Sequence, residues 1–137
     1  VTVADDIPRR LWEKIAVNAG INAVTALARV ENGALADDPA RGVAHRAARE
    51  TARVARAAGV DLPDDHAEGA LDGVVDATAA NRSSMLQDVD AGQRTEADAI
   101  NGEVVRRAEA YGVSVPTNRT LAALLGAWED GQGVTPP

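Results

Sequence analysis

Lys14, Asn18 and Asn22 stand four residues apart in a stretch that is otherwise small or apolar, among Ile15, Ala16, Val17, Ala19, Ile21 and Ala23. On an α-helix, each step of four residues returns to within about 40° of the same face and advances roughly 6 Å. One ammonium and two carboxamides would therefore share a strip. Such a set suits the binding of a small polar molecule and the delivery of a proton to it. The plainer account has Lys14 reaching into solvent along its aliphatic stem while the asparagines satisfy nearby loop backbone. Spacing alone does not separate the two. Burying these groups unpaired costs about 1–3 kcal/mol each, so they require partners or an open cleft.

A second constellation is Asn81-Arg82-Ser83-Ser84-Met85-Leu86-Gln87-Asp88, followed by Gly92-Gln93-Arg94-Thr95-Glu96-Ala97-Asp98. Local structure explains much of it. Ser83 suits the N-cap of a short helix and Gly92 its end. Thr95 to Asp98 has the spacing of a capping box, with Asp in place of the usual Glu. Acids in a first turn also interact favourably with the helix dipole, by about 0.3–1 kcal/mol. The chemical account is that hydroxyls at a helix start bind carboxylates. A carboxylate such as Glu96 is also suited to pairing with a lysine and holding it in place.

The elements that must position these groups read as helices. Asp6 is an expected N-cap and Pro8 suits a first turn, opening a helix to about Val30 whose stripe includes Leu11, Ile15, Val24 and Leu27. Gly20 inside it marks a close approach or a bend, and Asn32-Gly33 ends the segment as a turn. Asp38 and Pro39 open a second helix that stops at Gly59. Its Arg41, Arg46, Arg49, Arg53 and Arg56 have the look of a solvated face. A third helix is expected from Asp64 or Asp65 to Ala80, a short fourth from Ser83 to about Ala91, and a fifth from Thr95 to Tyr111, stopped by Gly112. The last opens at Pro116 and runs to about Glu129. Residues 1–7 read as a lead-in segment, 8–129 as one helical domain, and 130–137 as a fraying tail.

Composition bounds the rest. The chain has 137 residues, no Cys and no Phe, and 2% aromatic residues. Few aromatic side chains and abundant Ala favour an all-α domain packed closely through Ala. Without Cys there is no thiolate zinc site, no disulfide framework and no cysteine nucleophile. The two histidines, His45 and His66, are too far apart in sequence to suggest a metal site. A net charge of −7 argues against binding nucleic acid or anionic membranes. No stretch reads as a transmembrane span or a secretory signal, so the expected location is the cytoplasm. The first residue is Val rather than Met, which reads as a piece of a longer chain. Of 14 basic residues, only Lys14 is a lysine. That bias fits a GC-rich genome or a salt-loving host.

The two constellations together carry a family resemblance. Leu11-Trp12-Glu13-Lys14-Ile15-Ala16-Val17-Asn18-Ala19-Gly20-Ile21-Asn22, then Thr25-Ala26-Leu27 and Asn32-Gly33, resembles the start of the C-terminal domain of ketopantoate reductases. Ser83-Ser84-Met85-Leu86-Gln87-Asp88, with Thr95-Glu96-Ala97-Asp98-Ala99-Ile100-Asn101-Gly102, is similar to that family's second signature. Pro116-Thr117-Asn118-Arg119-Thr120-Leu121 is similar to its closing element. The resemblance covers about residues 7–126. Ala23, where the family often has Pro, and Ala97 and Ala99, where it has bulkier residues, depart from the pattern at packing positions.

The resemblance implies an all-α bundle of about five to seven helices, like the 6-phosphogluconate dehydrogenase C-terminal domain. It implies NADPH-dependent reduction of 2-dehydropantoate to pantoate. Lys14 matches the proton donor to the keto oxygen. Asn18, Asn22 and Asn32 match substrate-binding amides, and Ser84 the hydroxyl that binds the substrate carboxylate. Glu96 matches an acid placed near the cofactor and the catalytic lysine. No metal is implied. The sequence has no Gly-rich βαβ start, so NADP is expected to sit mainly on a Rossmann domain preceding residue 1, and this chain alone is expected to be inactive. Two other readings stay open at this point. One is the helical domain of another 2-keto or 3-hydroxy acid dehydrogenase. The other is a non-catalytic helical dimerisation module, since exposed Ala-rich helix faces suit a homodimer.

Overall fold

The computed structural model describes residues 7–132. The expected Asp6 cap and the rest of the lead-in before Ile7 lie outside the described residues, as do residues 133–137 of the expected tail. Six α-helices run in chain order: α1 (Arg9–Ala28), α2 (Ala40–Ala57), α3 (Asp64–Ala77), α4 (Ser84–Asp90), α5 (Glu103–Tyr111) and α6 (Pro116–Gly131). A short 3₁₀ turn, Asn32–Ala36, follows α1, and a π turn, Asp98–Gly102, leads into α5. No strand occurs among the described residues, so the all-α expectation holds.

Helix α1 is the axis of the bundle. Its buried residues include Trp12, Ala16, Val17, Ala19, Ile21, Ala23, Val24 and Ala26. A helix apolar around most of its circumference has to be covered by others, and α2, α3, α4 and α6 all pack on it. Small residues let them come near. A Cβ built on Gly20 would lie 2.6 Å from Leu71 Cδ1 of α3 and 2.7 Å from the Ala44 carbonyl oxygen of α2. Gly20 is therefore a close-approach glycine, with α2 crossing directly over its backbone.

Helix ends follow the local chemistry in most places. Ser83 caps α4, its hydroxyl accepting from the Leu86 N–H at 3.1 Å. Gly59, Gly92 and Gly112 stop their helices with φ of +92°, +69° and +70°, which only glycine adopts without strain. Several boundaries differ from expectation: α1 stops at Ala28, short of Val30, and the helix expected from Thr95 divides into the π turn and α5. Pro8 is extended and lies before the first turn, its carbonyl accepting from the N–H groups of Leu11 and Trp12. α3 stops at Ala77, short of Ala80. α6 continues past Glu129 through Gly131. At the start of α2 the N-cap is Pro39 rather than Asp38 and the first helical residue is Ala40, although Asp38 Oδ1 accepts from the Gly42 N–H at 3.0 Å.

The arginines of α2 do not form a purely solvated face. Arg41 pairs with Asp72 at 3.2 Å and Arg49 with Glu68 at 2.6 Å, both on α3. Arg56 reaches Asp64 and the Leu62 carbonyl, and Arg53 the Ser114 carbonyl. Long stems lying along an Ala-rich helix carry their guanidinium groups onto neighbouring elements. His45 completes this seam, with Nε2 2.7 Å from Asp72 Oδ1 and Nδ1 3.5 Å from Glu68 Oε2. Desolvation would raise the Asp72 pKa, but hydrogen bonds and charge from His45 and Arg41 outweigh it and hold the carboxyl below its ordinary value.

Candidate functional site

The polar strip of α1 stays open beside a buried apolar face, and the first turn of the helix is open too, Leu11 being 45% exposed rather than part of the covered stripe. Lys14 is exposed, and Asn18 and Asn22 are half-buried. Lys14 and Asn18 line a groove of about 480 Å³ between α1 and α3, together with Arg10, Glu13, Gly73 and Val74. The small residues of α3 keep its far wall low. Within the groove Glu13 is spoken for, since its Oε2 lies 2.6 Å from His66 Nε2. Among the described residues, no hydrogen bond or ion pair engages the side chains of Arg10, Lys14 or Asn18. The groove thus offers two uncommitted cations and an uncommitted amide, a set complementary to a small anion with polar substituents.

One turn past Asn22, α1 reaches the second constellation through Thr25. The Thr25 hydroxyl donates to the main-chain carbonyl of Ile21 at 2.6 Å, with the main-chain carbonyl of Asn22 further off at 3.2 Å, and lies 2.7 Å from Ser83 Oγ. Ser84 follows directly, exposed, with its hydroxyl uncommitted. The same loop is held from its other side by Asn32. The Asn32 N–H donates to the Asn81 carbonyl at 3.0 Å, and its Nδ2 donates to Thr78 Oγ1 at 2.9 Å. Asn32 is 7% exposed, and its Oδ1 is buried without a partner. Residues 78–84 are thereby clamped to the C-terminal half of α1 and the turn after it.

Glu96 occupies a different position. It is exposed in the first turn leading to α5, its side chain uncommitted among the described residues. No ion pair joins it to Lys14. The expected capping box does not form, since neither of its two bonds between Thr95 and Asp98 is made. Thr95 Oγ1 accepts from the Ala97 N–H at 3.1 Å, but Asp98 turns to Arg106. The Thr95 N–H goes instead to Glu129 Oε2 at 2.5 Å, which also accepts from the Thr95 hydroxyl at 2.9 Å.

Sequence reading passed over a buried polar chain behind the site. Asn101 Nδ2 donates to the Ala19 carbonyl of α1 at 3.1 Å and to Asn118 Oδ1 at 3.0 Å. The Thr117 and Asn118 N–H groups both donate to Glu50 of α2, each at 2.9 Å, which caps α6 from outside. Two signals were available. Glu50 is an acid in an Ala-rich run. Glu129 is an acid at a helix C-terminus, where the dipole disfavours it. Each anomaly implies a specific donor set.

Fold and site together define a class, an all-helical domain whose central helix carries one uncommitted polar strip facing a cationic groove. The chain belongs to the family described as "Ketopantoate reductase PanE/ApbA C terminal", whose model matches residues 6–129. A 2-dehydropantoate 2-reductase from Halobacterium salinarum is 47% identical over 125 residues, covering 90% of this chain and 41% of that protein. A crystal structure of a ketopantoate reductase from Ralstonia eutropha JMP134 is 37% identical, with a TM-score of 0.83 over 95% of this chain and 44% of that one. The ternary structure of D-mandelate dehydrogenase with NADH and anilino(oxo)acetate is 26% identical, with a TM-score of 0.85 over 91% of this chain and 41% of that one. The chain spans less than half the length of these relatives.

Proposed function

We propose that this chain is the substrate-binding and catalytic half of an NADPH-dependent 2-dehydropantoate 2-reductase. The observation that carries the reading is the uncommitted Lys14 and Asn18 in a groove whose one acid, Glu13, is tied to His66. Reduction of a ketone builds negative charge on its oxygen. An ammonium beside that oxygen stabilises the charge as it develops and completes the alcohol by giving up a proton. Lys14 fills that role, and an arginine in its place would hold its proton too tightly. Asn18 and Asn22 orient the substrate through amide contacts. Ser84 offers a hydroxyl to the carboxylate, while Asn32, buried outside the groove with its Nδ2 on Thr78, holds in place the loop that carries Ser84. Several directional contacts on one small molecule fix it for attack.

The described residues hold no strand and no Gly-rich strand-to-helix turn, so they do not fit the phosphates or adenosine of a dinucleotide. Glu96 is the residue here that fits a place beside the cofactor. When bound, NADPH supplies the hydride. Its main seat is the Rossmann domain expected ahead of this chain, and the chain alone is inactive. In the full-length protein, Lys14→Ala should lower kcat for 2-dehydropantoate by about 10²–10⁴-fold, with Lys14→Arg no better. Unchanged turnover in Lys14→Ala would refute the reading. A second reading, reduction of a different 2-keto acid, is favoured by the TM-score of 0.85 to D-mandelate dehydrogenase. A panel of 2-keto acids ranked by kcat/KM separates the two.

A further inference from the structure

We propose that Glu129 is a positioning residue for Glu96, acting with Asn118 so that α6 grips the Glu96-bearing segment at both ends. The inference rests on the role given to Glu96 above. Glu129 and Thr95 are each 7% exposed, and Asn101 and Asn118 are fully buried. In the last turn of α6, Glu129 sits against the unfavourable end of the helix dipole and away from water. It is held there by the two Thr95 donors, at 2.5 and 2.9 Å.

The Thr95 hydroxyl passes the constraint on by accepting from the Ala97 N–H at 3.1 Å. Residues 95 and 97 are thus both fixed, and Glu96 between them has little backbone freedom. At the far end of the π turn, Asn101 bonds to Asn118 in the first turn of α6 and to the Ala19 carbonyl on α1. Ala19 adjoins Asn18 of the groove. Asn118 and Glu129 are eleven residues apart, about 16 Å along one rigid helix. The exposed carboxylate of Glu96 touches none of these groups, yet its backbone is referenced through α6 and Asn101 to the helix that carries Lys14. π turns recur at functional sites, and this one lies inside the gripped segment.

The test is a double-mutant cycle in the full-length enzyme, read as kcat and KM with 2-dehydropantoate and NADPH, with melting temperatures measured alongside. Glu96→Ala should lower kcat/KM. Glu129→Ala should lower it by about ten- to a hundredfold, the range for a displaced catalytic geometry. The double variant should fall no more than about threefold below the worse single variant, because the second change removes what the first had already disabled. Glu129→Gln should stay within about threefold of the parent, since one amide oxygen can accept both Thr95 donors. Losses that multiply in the double variant, or parental kinetics in Glu129→Ala, would overturn the proposal. Parental kinetics in Glu96→Ala would instead overturn the role of Glu96 itself, and the proposal with it. Should Glu129→Ala not fold, Thr95→Val takes its place in the cycle with the same expected outcomes, because it removes the hydroxyl and leaves the N–H.

Discussion

Gly20→Ala is the substitution whose consequence the packing states most sharply. In a free helix it would stabilise, since Ala exceeds Gly by about 0.5–1 kcal/mol. Here the new Cβ meets Leu71 Cδ1 at 2.6 Å, the Ala44 carbonyl oxygen at 2.7 Å and the Ala44 carbonyl carbon at 3.3 Å, against 3.4 Å where ordinary contact begins. Leu71 is fully buried, while the Ala44 atoms are backbone and move only if α2 moves. Overpacking of this kind costs about 1–3 kcal/mol. The upper part of that range applies because two of the three atoms are main chain. After the propensity gain, a net loss of about 1–2 kcal/mol remains, or about 4–8 °C in Tm for a domain of this size. Circular dichroism melts of the isolated chain measure it. Gly69→Ala and Gly126→Ala are the controls. Both are helical glycines with nothing within 4 Å of the added Cβ, so the same change there should raise stability by about 0.5–1 kcal/mol. A Gly20→Ala melt at or above the parent's would refute the close-approach account of the α1–α2 crossing.

Glu50→Ala should cost about 1–3 kcal/mol for each donor it orphans at the start of α6, and urea midpoints would record it. Glu50→Gln should be nearly as damaging, because Oε1 and Oε2 both accept from N–H groups and an amide nitrogen would face a donor. The Asp72 carboxyl has its pKa lowered from an ordinary 3.8, so it binds protons more readily unfolded than folded. Its contribution is fully present above about pH 4 and is lost as pH falls through the lower folded value. Asp72→Asn should therefore reduce stability at pH 6, and the two proteins' urea midpoints should converge as pH falls below the folded value. With a net charge of −7, the folded chain should gain stability as salt screens self-repulsion. Flat melting temperatures from low to molar salt would count against that.

Local chemistry made most helices legible before any coordinates. Glycine stops at 59, 92 and 112, the Ser83 cap and the strip on α1 all depend on residues within one or two turns of each other. The structure departs from expectation where distant residues compete for the same groups. Asp98 was expected to close the capping box, but Glu129, 34 residues away, takes the Thr95 N–H. The arginines of α2 look solvated only until α3 places Glu68 and Asp72 one turn apart beside them. Asn32 read as a turn residue with a free amide, whereas Thr78, 46 residues on, occupies its Nδ2. Lys14, Asn18, Asn22, Asn32 and Ser84 all prove to lie on α1 or on segments clamped to it. Glu96 joins them through α6 and Asn101, a route that no sequence periodicity encodes.

Lys14 has one further consequence, for labelling. It is exposed at the mouth of its groove, and it is the chain's sole lysine. Amine-directed reagents therefore have one side chain to modify, besides the terminal amine. Reductive methylation with isotopic formaldehyde would give a single side-chain methyl resonance, already placed at the groove. Its chemical shift, told apart from that of the methylated terminal amine, would report on anions entering that groove without an engineered tag.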